Sequence, residues 1–399
     1  MTSYEMTSIN VLNVTVPNPA SASSTVPTVS PTNVTGTPTT DATGTAPPTN
    51  VKTNVFGAFS NFLNSIVGAG IIGMPYAMRH CGLVMGLFLL IFVGFLTDIS
   101  VRMMVEMGID LECMNYEHLA KKIFGQRGYT VITVFMFFIA FGAMIAYCII
   151  IGDVVPAIMG WEETAEVRAG SMIVCSLLVM YPLALLKDMS SLAFTSTASV
   201  VADMILVCIV VAKAPIGDAV EAAGGFGAVL GSSIIRPKTL FSGLGAISFA
   251  FICHHSSFIV ANSLENPTKE RWAKVTHMSV GAACVMCVFL GVFGYLGFLD
   301  ETVGDVLNNF DDSNIMTAAR VMLGLTMFFT YPMESFVARH CVVALVYGED
   351  AGEDACTLVV ELPFCKQAGT CSARSARQRL QTRSLSFDNL PPQDLTLRS

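Results

Sequence analysis

Apolar residues along this chain come in long runs, neither alternating every second position nor confined to one helical face. From residue 56 to residue 338, aliphatic and aromatic stretches follow one another with short polar segments between them. A hydrocarbon layer about 30 Å thick asks for roughly 20 apolar residues per helix. The pattern predicts spans near 56-79, 83-106, 129-151, 170-186, 191-212, 240-261, 275-298 and 317-338. Outer-membrane strands would be about 10 residues long with period-two alternation, so the fold class expected is all-α integral membrane with about eight transmembrane helices. The flanks differ in character. Residues 1-53 are rich in Thr, Pro, Ser and Asn, and 346-399 are polar with an Arg/Ser-rich stretch at Arg374, Arg377, Arg379 and Arg383. Neither can bury enough apolar surface to offset its ordering entropy, so disordered segments are expected on both sides of a membrane domain at 54-345.

Composition sharpens the class. The chain has 399 residues, 53% hydrophobic and only 13% charged, where soluble domains carry about 25% charged residues. A formal net charge of -8, carried mostly by loops and tail, gives no reason to expect a nucleic-acid partner; the expected partner surface is the lipid bilayer. Residues 1-53 contain no apolar core of a cleavable signal peptide. The Asn13 and Asn33 sequons read as chance matches in a Thr-rich tract. Cysteines such as Cys148, Cys175, Cys208 and Cys253 fall within spans and read as small hydrophobes. The Cys284/Cys287 pair in span 7 reads as packing, not metal or redox chemistry.

Loop charge predicts orientation. Lys121, Lys122 and Arg127 follow span 2, and Lys269, Arg271 and Lys274 follow span 6. The loop after span 7 holds Asp300, Glu301, Asp305, Asp311 and Asp312 without a lysine. The positive-inside rule then makes the ends of even-numbered spans, and the N-terminus, cytoplasmic. Lys213, Arg236 and Lys238, in the loop between spans 5 and 6, run against that assignment.

Span 1 contains "NFLNSIVGAGIIGMPYAM", with Gly68, Gly70, Gly73 and Pro75 near its middle. Irregular backbone at membrane depth is tolerated only where it is buried in protein or lines a cavity. Unwinding at Gly68-Ala69-Gly70 would aim bare N–H groups and the positive end of the following half-helix at a pocket fit for a carboxylate. Close packing through a small-residue face is the competing explanation. Span 6, "LFSGLGAISFAFICHHSSFIVANSLENP", carries Gly243 and Gly245 and then Ser248, His254, His255, Ser256 and Ser257. Broken first helices in each half are the pattern of inverted-repeat transporters, and the polar groups of both helices would face one midplane site. The expected substrate contacts are Ile66, Gly68, Ala69, Gly70, Ser248 and His254.

Taken together, "NSIVGAGIIGMPYAM", "GFLTDIS", "SFAFICHHSSF" with "SLENPTKERW", "GYLGF" and "TYPMESFVARH" resemble the sodium-coupled neutral amino acid transporters of the amino acid/auxin permease superfamily, over roughly residues 54 to 345. The resemblance implies a LeuT-like inverted-repeat core and carriage of a small neutral amino acid with sodium as coupling ion, with no other cofactor. It implies an ion site at Asn64, the freed carbonyl of Val67, and Thr326 or Thr330. The family has about three helices beyond span 8, so the expectation here is a truncated core lacking two helices of the second repeat. Location is expected in the plasma membrane or an endolysosomal membrane. Other readings are a proton-coupled transporter or exchanger using Asp203 or a histidine, a non-transporting amino acid sensor, and a defective truncated product. Asp98 and Arg102, four apart on span 2, are expected to pair with each other; Glu334 is expected to pair with Arg339 or to meet water.

Overall fold

The computed structural model describes residues 52–68, 70–162, 164–185 and 192–347. Nearly all of the leader and tail segments, and Ala69 of the expected substrate contacts, lie outside the described residues. Helices account for the membrane domain, and among the described residues seven reach the length and hydropathy needed for a span, or eight when a bent pair in span 1 is taken as one.

Span 1 is that pair: Val55–Val67 and Ile71–Cys81, set 45° apart. Asn54 caps the first half by accepting from the Gly57 N–H at 2.8 Å, which satisfies one of the donors a helix start leaves open. Pro75 sits in the first turn of the helix Met74–Cys81, where its missing N–H costs no hydrogen bond. Span 2 is Leu83–Asp110. Span 3 runs 44 residues from Tyr116 to Met159, turning at Gly125 with φ 70°. The stretch with Lys121, Lys122 and Arg127, read from sequence as a loop, is therefore helical. Leu119 and Ala120 are buried, while Lys122 is exposed with its Nζ donating to the Leu111 carbonyl at 2.8 Å, so the stretch lies on the bundle as an amphipathic lead-in.

Span 4, Ala165–Ala184, loosens into a π segment over Ser176–Met180. Pro182 follows directly and has no N–H to continue the ordinary ladder. Span 5 is Leu192–Lys213, and the segment after it forms two short helices, Ile216–Ala222 and Phe226–Ser232, that hydropathy did not single out. Span 6 is divided into Leu240–Ala250 and His254–Ser263. Span 7 is Lys269–Phe298, and span 8 continues past its expected end to Tyr347.

Spans 1, 2 and 7 pack on one another, and spans 3 and 5 pack on span 8. Phe62 and Trp272, both fully buried, meet with ring centroids 5.3 Å apart. Phe88, Phe92, Phe95, Phe138, Phe194 and Leu178 point outward, as expected of a lipid-facing surface. Since lipid is as apolar as these side chains, close packing holds the helices. Gly243 shows this: a Cβ there would collide with Cys81 and the Ala77 carbonyl.

The start of span 1 is tied to the end of span 6. The Thr53 N–H donates to the Ser263 carbonyl and the Glu265 N–H to the Thr53 carbonyl, both at 2.8 Å. The two broken helices thus run antiparallel with these ends at the same level. Glu117, buried at the start of span 3, is held by His340 of span 8 at 2.7 Å.

Candidate functional site

The interruption in span 1 falls at Gly68–Gly70. The first half ends as the Gly68 N–H bonds back to the Asn64 carbonyl at 3.3 Å. Gly68 then adopts φ 20°, ψ -142°, a conformation that side-chain-bearing residues rarely enter. Gly70 is needed for a different reason: a Cβ there would lie 2.5 Å from the Ala250 Cα. The break of span 1 and the end of the first half of span 6 are thus in backbone contact.

Span 6 breaks later than its glycines suggest. Gly243 and Gly245 are helical, and the helix ends where the Phe251 and Ile252 N–H groups tighten to the Ser248 and Phe249 carbonyls at 3.2 Å. Such bonds to the third residue back are a common way for a helix to close. His254 and His255 open the second half, about 100° apart on its surface. Ser65 and Ser256, one on each broken helix, share a hydrogen bond of 2.6 Å.

Between the breaks lies a cavity of about 30 Å³ lined by Ser65, Ile66, Gly68, Gly70, His255 and Glu334, with Tyr147 also on its wall. This is room for about one water and too small for an amino acid, so admitting one requires the walls to part. The half-helix after the break begins beside it and presents the positive end of its dipole.

Ile66, Gly68 and Gly70 of the expected contacts line this space. Ser248 and His254 do not: Ser248 is half-buried on the first half of span 6, and the His254 Nε2 lies 2.8 Å from Ser100 Oγ on span 2. The histidine facing the cavity is His255. Its Nε2 stands 2.9 Å from Oε2 of Glu334, both side chains nearly inaccessible. Glu334 therefore pairs across the cavity, in place of the expected Arg339 or water. Asp98 does pair with Arg102, at 3.3 Å, and also approaches His277 at 2.9 Å.

Beside the cavity, spans 1, 5 and 8 enclose a polar cluster. Asn64, Ser196, Ser199, Asp203, Thr326 and Thr330 are all buried. Thr330 Oγ1 is 2.8 Å from Asn64 Oδ1 and 2.8 Å from the Thr326 carbonyl. The Thr326 hydroxyl donates to Asp203 Oδ1 at 2.7 Å, and Ser199 Oγ is 3.4 Å from Thr330 Oγ1. Both threonines between which sequence could not choose belong to this cluster. Val67 ends the first half-helix and is buried; carbonyls of such a last turn are released from the helical ladder.

Sequence reasoning passed over Ser196 and Ser199, although with Asp203 they recur at helical spacing and so share one face of span 5. Tyr147 carried no signal, being one aromatic in an apolar run. His255 and Glu334 were visible as polar residues in lipid, but their pairing depends on where span 6 restarts.

Residues 51–372 match the family described as "Transmembrane amino acid transporter protein". A zebrafish (Danio rerio) protein named "Putative sodium-coupled neutral amino acid transporter 11" is 35% identical over 299 residues, 73% of this chain and 65% of the relative. The cattle (Bos taurus) protein of the same name is 34% identical over 308 residues, 73% of this chain and 63% of its own length. "Vacuolar amino acid transporter 2" of Saccharomyces cerevisiae is 29% identical over 311 residues, 74% of this chain and 63% of the relative. The chain thus spans somewhat less than two thirds of the length of these relatives.

Proposed function

The chain belongs to the transmembrane amino acid transporter family, and from that premise we propose that it moves a small neutral amino acid across a membrane, driven by sodium, through alternating access around broken spans 1 and 6. It is a multi-pass membrane protein of a transporter family and not an enzyme. The observation that carries the proposal is the opposition of two helix breaks across one buried cavity, with an oxygen-rich cluster adjoining the first. In this reading the N–H groups that open the half-helix beginning after Gly70 take the substrate carboxylate. Asn64, the Val67 carbonyl, Thr326 and Thr330 offer neutral oxygens to a hard cation. Opening of the walls is part of the cycle, because the cavity of about 30 Å³ cannot hold the substrate. In this reading the spans form a LeuT-like core and the N-terminus is cytoplasmic.

A second reading is favoured by one feature. The His255–Glu334 pair lines the cavity itself, and a histidine there can exchange a proton near neutral pH. Proton-coupled transport would then replace sodium coupling, and an acidic organelle, as suggested by the yeast relative named vacuolar, would supply the gradient.

Uptake of radiolabelled glutamine or alanine into proteoliposomes separates the two. A sodium gradient is expected to accelerate uptake by the native chain, and Asn64→Ala to abolish the acceleration. Equal sodium-dependent uptake in both would reject the assignment of Asn64, and sodium-independent flux that follows a pH gradient would select the proton reading.

A further inference from the structure

Asp203 is an expensive residue in its place. It is fully buried in span 5, and its only described side-chain partner is the Thr326 hydroxyl on Oδ1. Its second oxygen, Oδ2, is buried and has no hydrogen-bond partner among the described residues. A carboxylate at membrane depth without a cation is costly, and such groups are retained where they bind something. A purely structural role at this position, holding Thr326, would be met by Asn or Ser without the charge.

The surroundings say what would compensate it. Within the cluster, oxygens gather in two groups: Asn64 Oδ1, Thr330 Oγ1 and Ser199 Oγ at 2.8 and 3.4 Å, and Thr326 Oγ1 with Asp203 Oδ1 at 2.7 Å, the two joined by the Thr326 carbonyl, 2.8 Å from Thr330 Oγ1. Among the described residues, the amide nitrogen of Asn64 donates to Ser196 Oγ at 3.4 Å, which leaves its oxygen turned to the cluster. Oxygen ligands with a single carboxylate suit a hard cation of low charge; divalent sites usually gather more carboxylates.

We infer that Asp203 is the charged ligand of the coupling cation, so that the ion is held by three helices, spans 1, 5 and 8, and not by neutral groups of spans 1 and 8 alone. The inference rests on the sodium-coupled reading given above. It has an electrical consequence: the sodium-loaded site is neutral, and the emptied site carries the uncompensated charge.

The test is sodium-dependent thermal protection of the full chain in detergent, with choline chloride keeping ionic strength constant. The native chain is expected to show a saturable rise in melting temperature with sodium. Asp203→Asn, which keeps size and the acceptor for Thr326, is expected to need at least about tenfold more sodium for half the effect. Asp203→Glu, which keeps the charge and displaces it, is expected to shift the requirement less. A sodium requirement unchanged in Asp203→Asn but raised in Asn64→Ala would overturn the role of Asp203 and leave sodium coupling intact. A native chain protected by amino acid but not by sodium would overturn both. Should Asp203→Asn fail to give monodisperse protein, Asp203→Glu decides: an unaltered sodium requirement after moving the carboxylate overturns the inference, and a raised one supports it.

Discussion

Replacing Gly70 with alanine probes the contact on which the site is built. The added methyl would stand 2.5 Å from the Ala250 Cα and 2.7 Å from its Cβ, where carbon atoms ordinarily rest about 3.5–4.0 Å apart. Spans 1 and 6 must therefore separate by roughly 1 Å, since the obstruction includes backbone and cannot swing aside. Overpacking of this kind costs about 1–3 kcal/mol. The same separation strains the Ser65–Ser256 hydrogen bond of 2.6 Å, worth about 1 kcal/mol if lost. A total of about 2–4 kcal/mol is expected, seen as a melting temperature lowered by several degrees in detergent, together with loss of amino acid uptake. Gly73→Ala is the matched control: its nearest neighbour outside the helix would be the Gly304 carbonyl oxygen at 3.8 Å, an ordinary contact, and little change is expected. Ala250→Gly removes the 2.7 Å obstruction and leaves the 2.5 Å one, so the double variant should recover part of the loss. Native stability and uptake in Gly70→Ala, or losses equal to those of Gly73→Ala, would refute the reasoning.

Glu334→Ala leaves the buried His255 Nε2 without its 2.9 Å partner and is expected to cost about 1–3 kcal/mol; Glu334→Gln, which preserves an acceptor, should cost distinctly less in the same melting assay. Half-buried Asp305, in the segment between spans 7 and 8, has its pKa raised by burial, and further by the charge of Asp153, from the usual 3.8 to about 6, against the opposing Leu307 N–H and Arg320. A folded-state value above the unfolded one means that its contribution is most favourable below pH 4 and is lost as pH rises through about 6. The full difference converts to about 3 kcal/mol, which solvent screening reduces to about 1 kcal/mol. Asp305→Asn keeps an acceptor for the Leu307 N–H, now 2.9 Å from Oδ1, and should flatten the pH dependence of melting between pH 4 and 7; an unchanged slope would refute this.

Hydropathy made the spans legible because lipid imposes length and apolarity on each helix separately. The break in span 1 was legible for a similar reason: Gly68 and Gly70 interrupt an apolar run, and Pro75 marks where a helix resumes. The position of the break in span 6 was not legible, because glycine has two uses. Gly243 serves contact with Cys81 and Ala77 inside an intact helix, whereas the actual opening at Phe251–Cys253 contains no residue that weakens helices by itself. Which of His254 and His255 faces the cavity depends on where the second half begins, since moving a helix start by one residue turns a side chain by about 100°. Glu334 was misread because its partner lies 79 residues upstream, beyond any local pattern. Ser196 and Ser199 gain meaning only once span 5 is known to face spans 1 and 8.

The ties between the two interrupted helices have a mechanical consequence. One rung joins their ends through Thr53, Ser263 and Glu265, and another joins their middles through Ser65 and Ser256. Two rods cross-linked at two levels behave as a truss: torque applied to either is shared, and neither can tilt without carrying the other. The compliant joints must then lie where this frame meets its neighbours, so substitutions that soften the rungs would uncouple the two rods before they loosened the rest of the bundle.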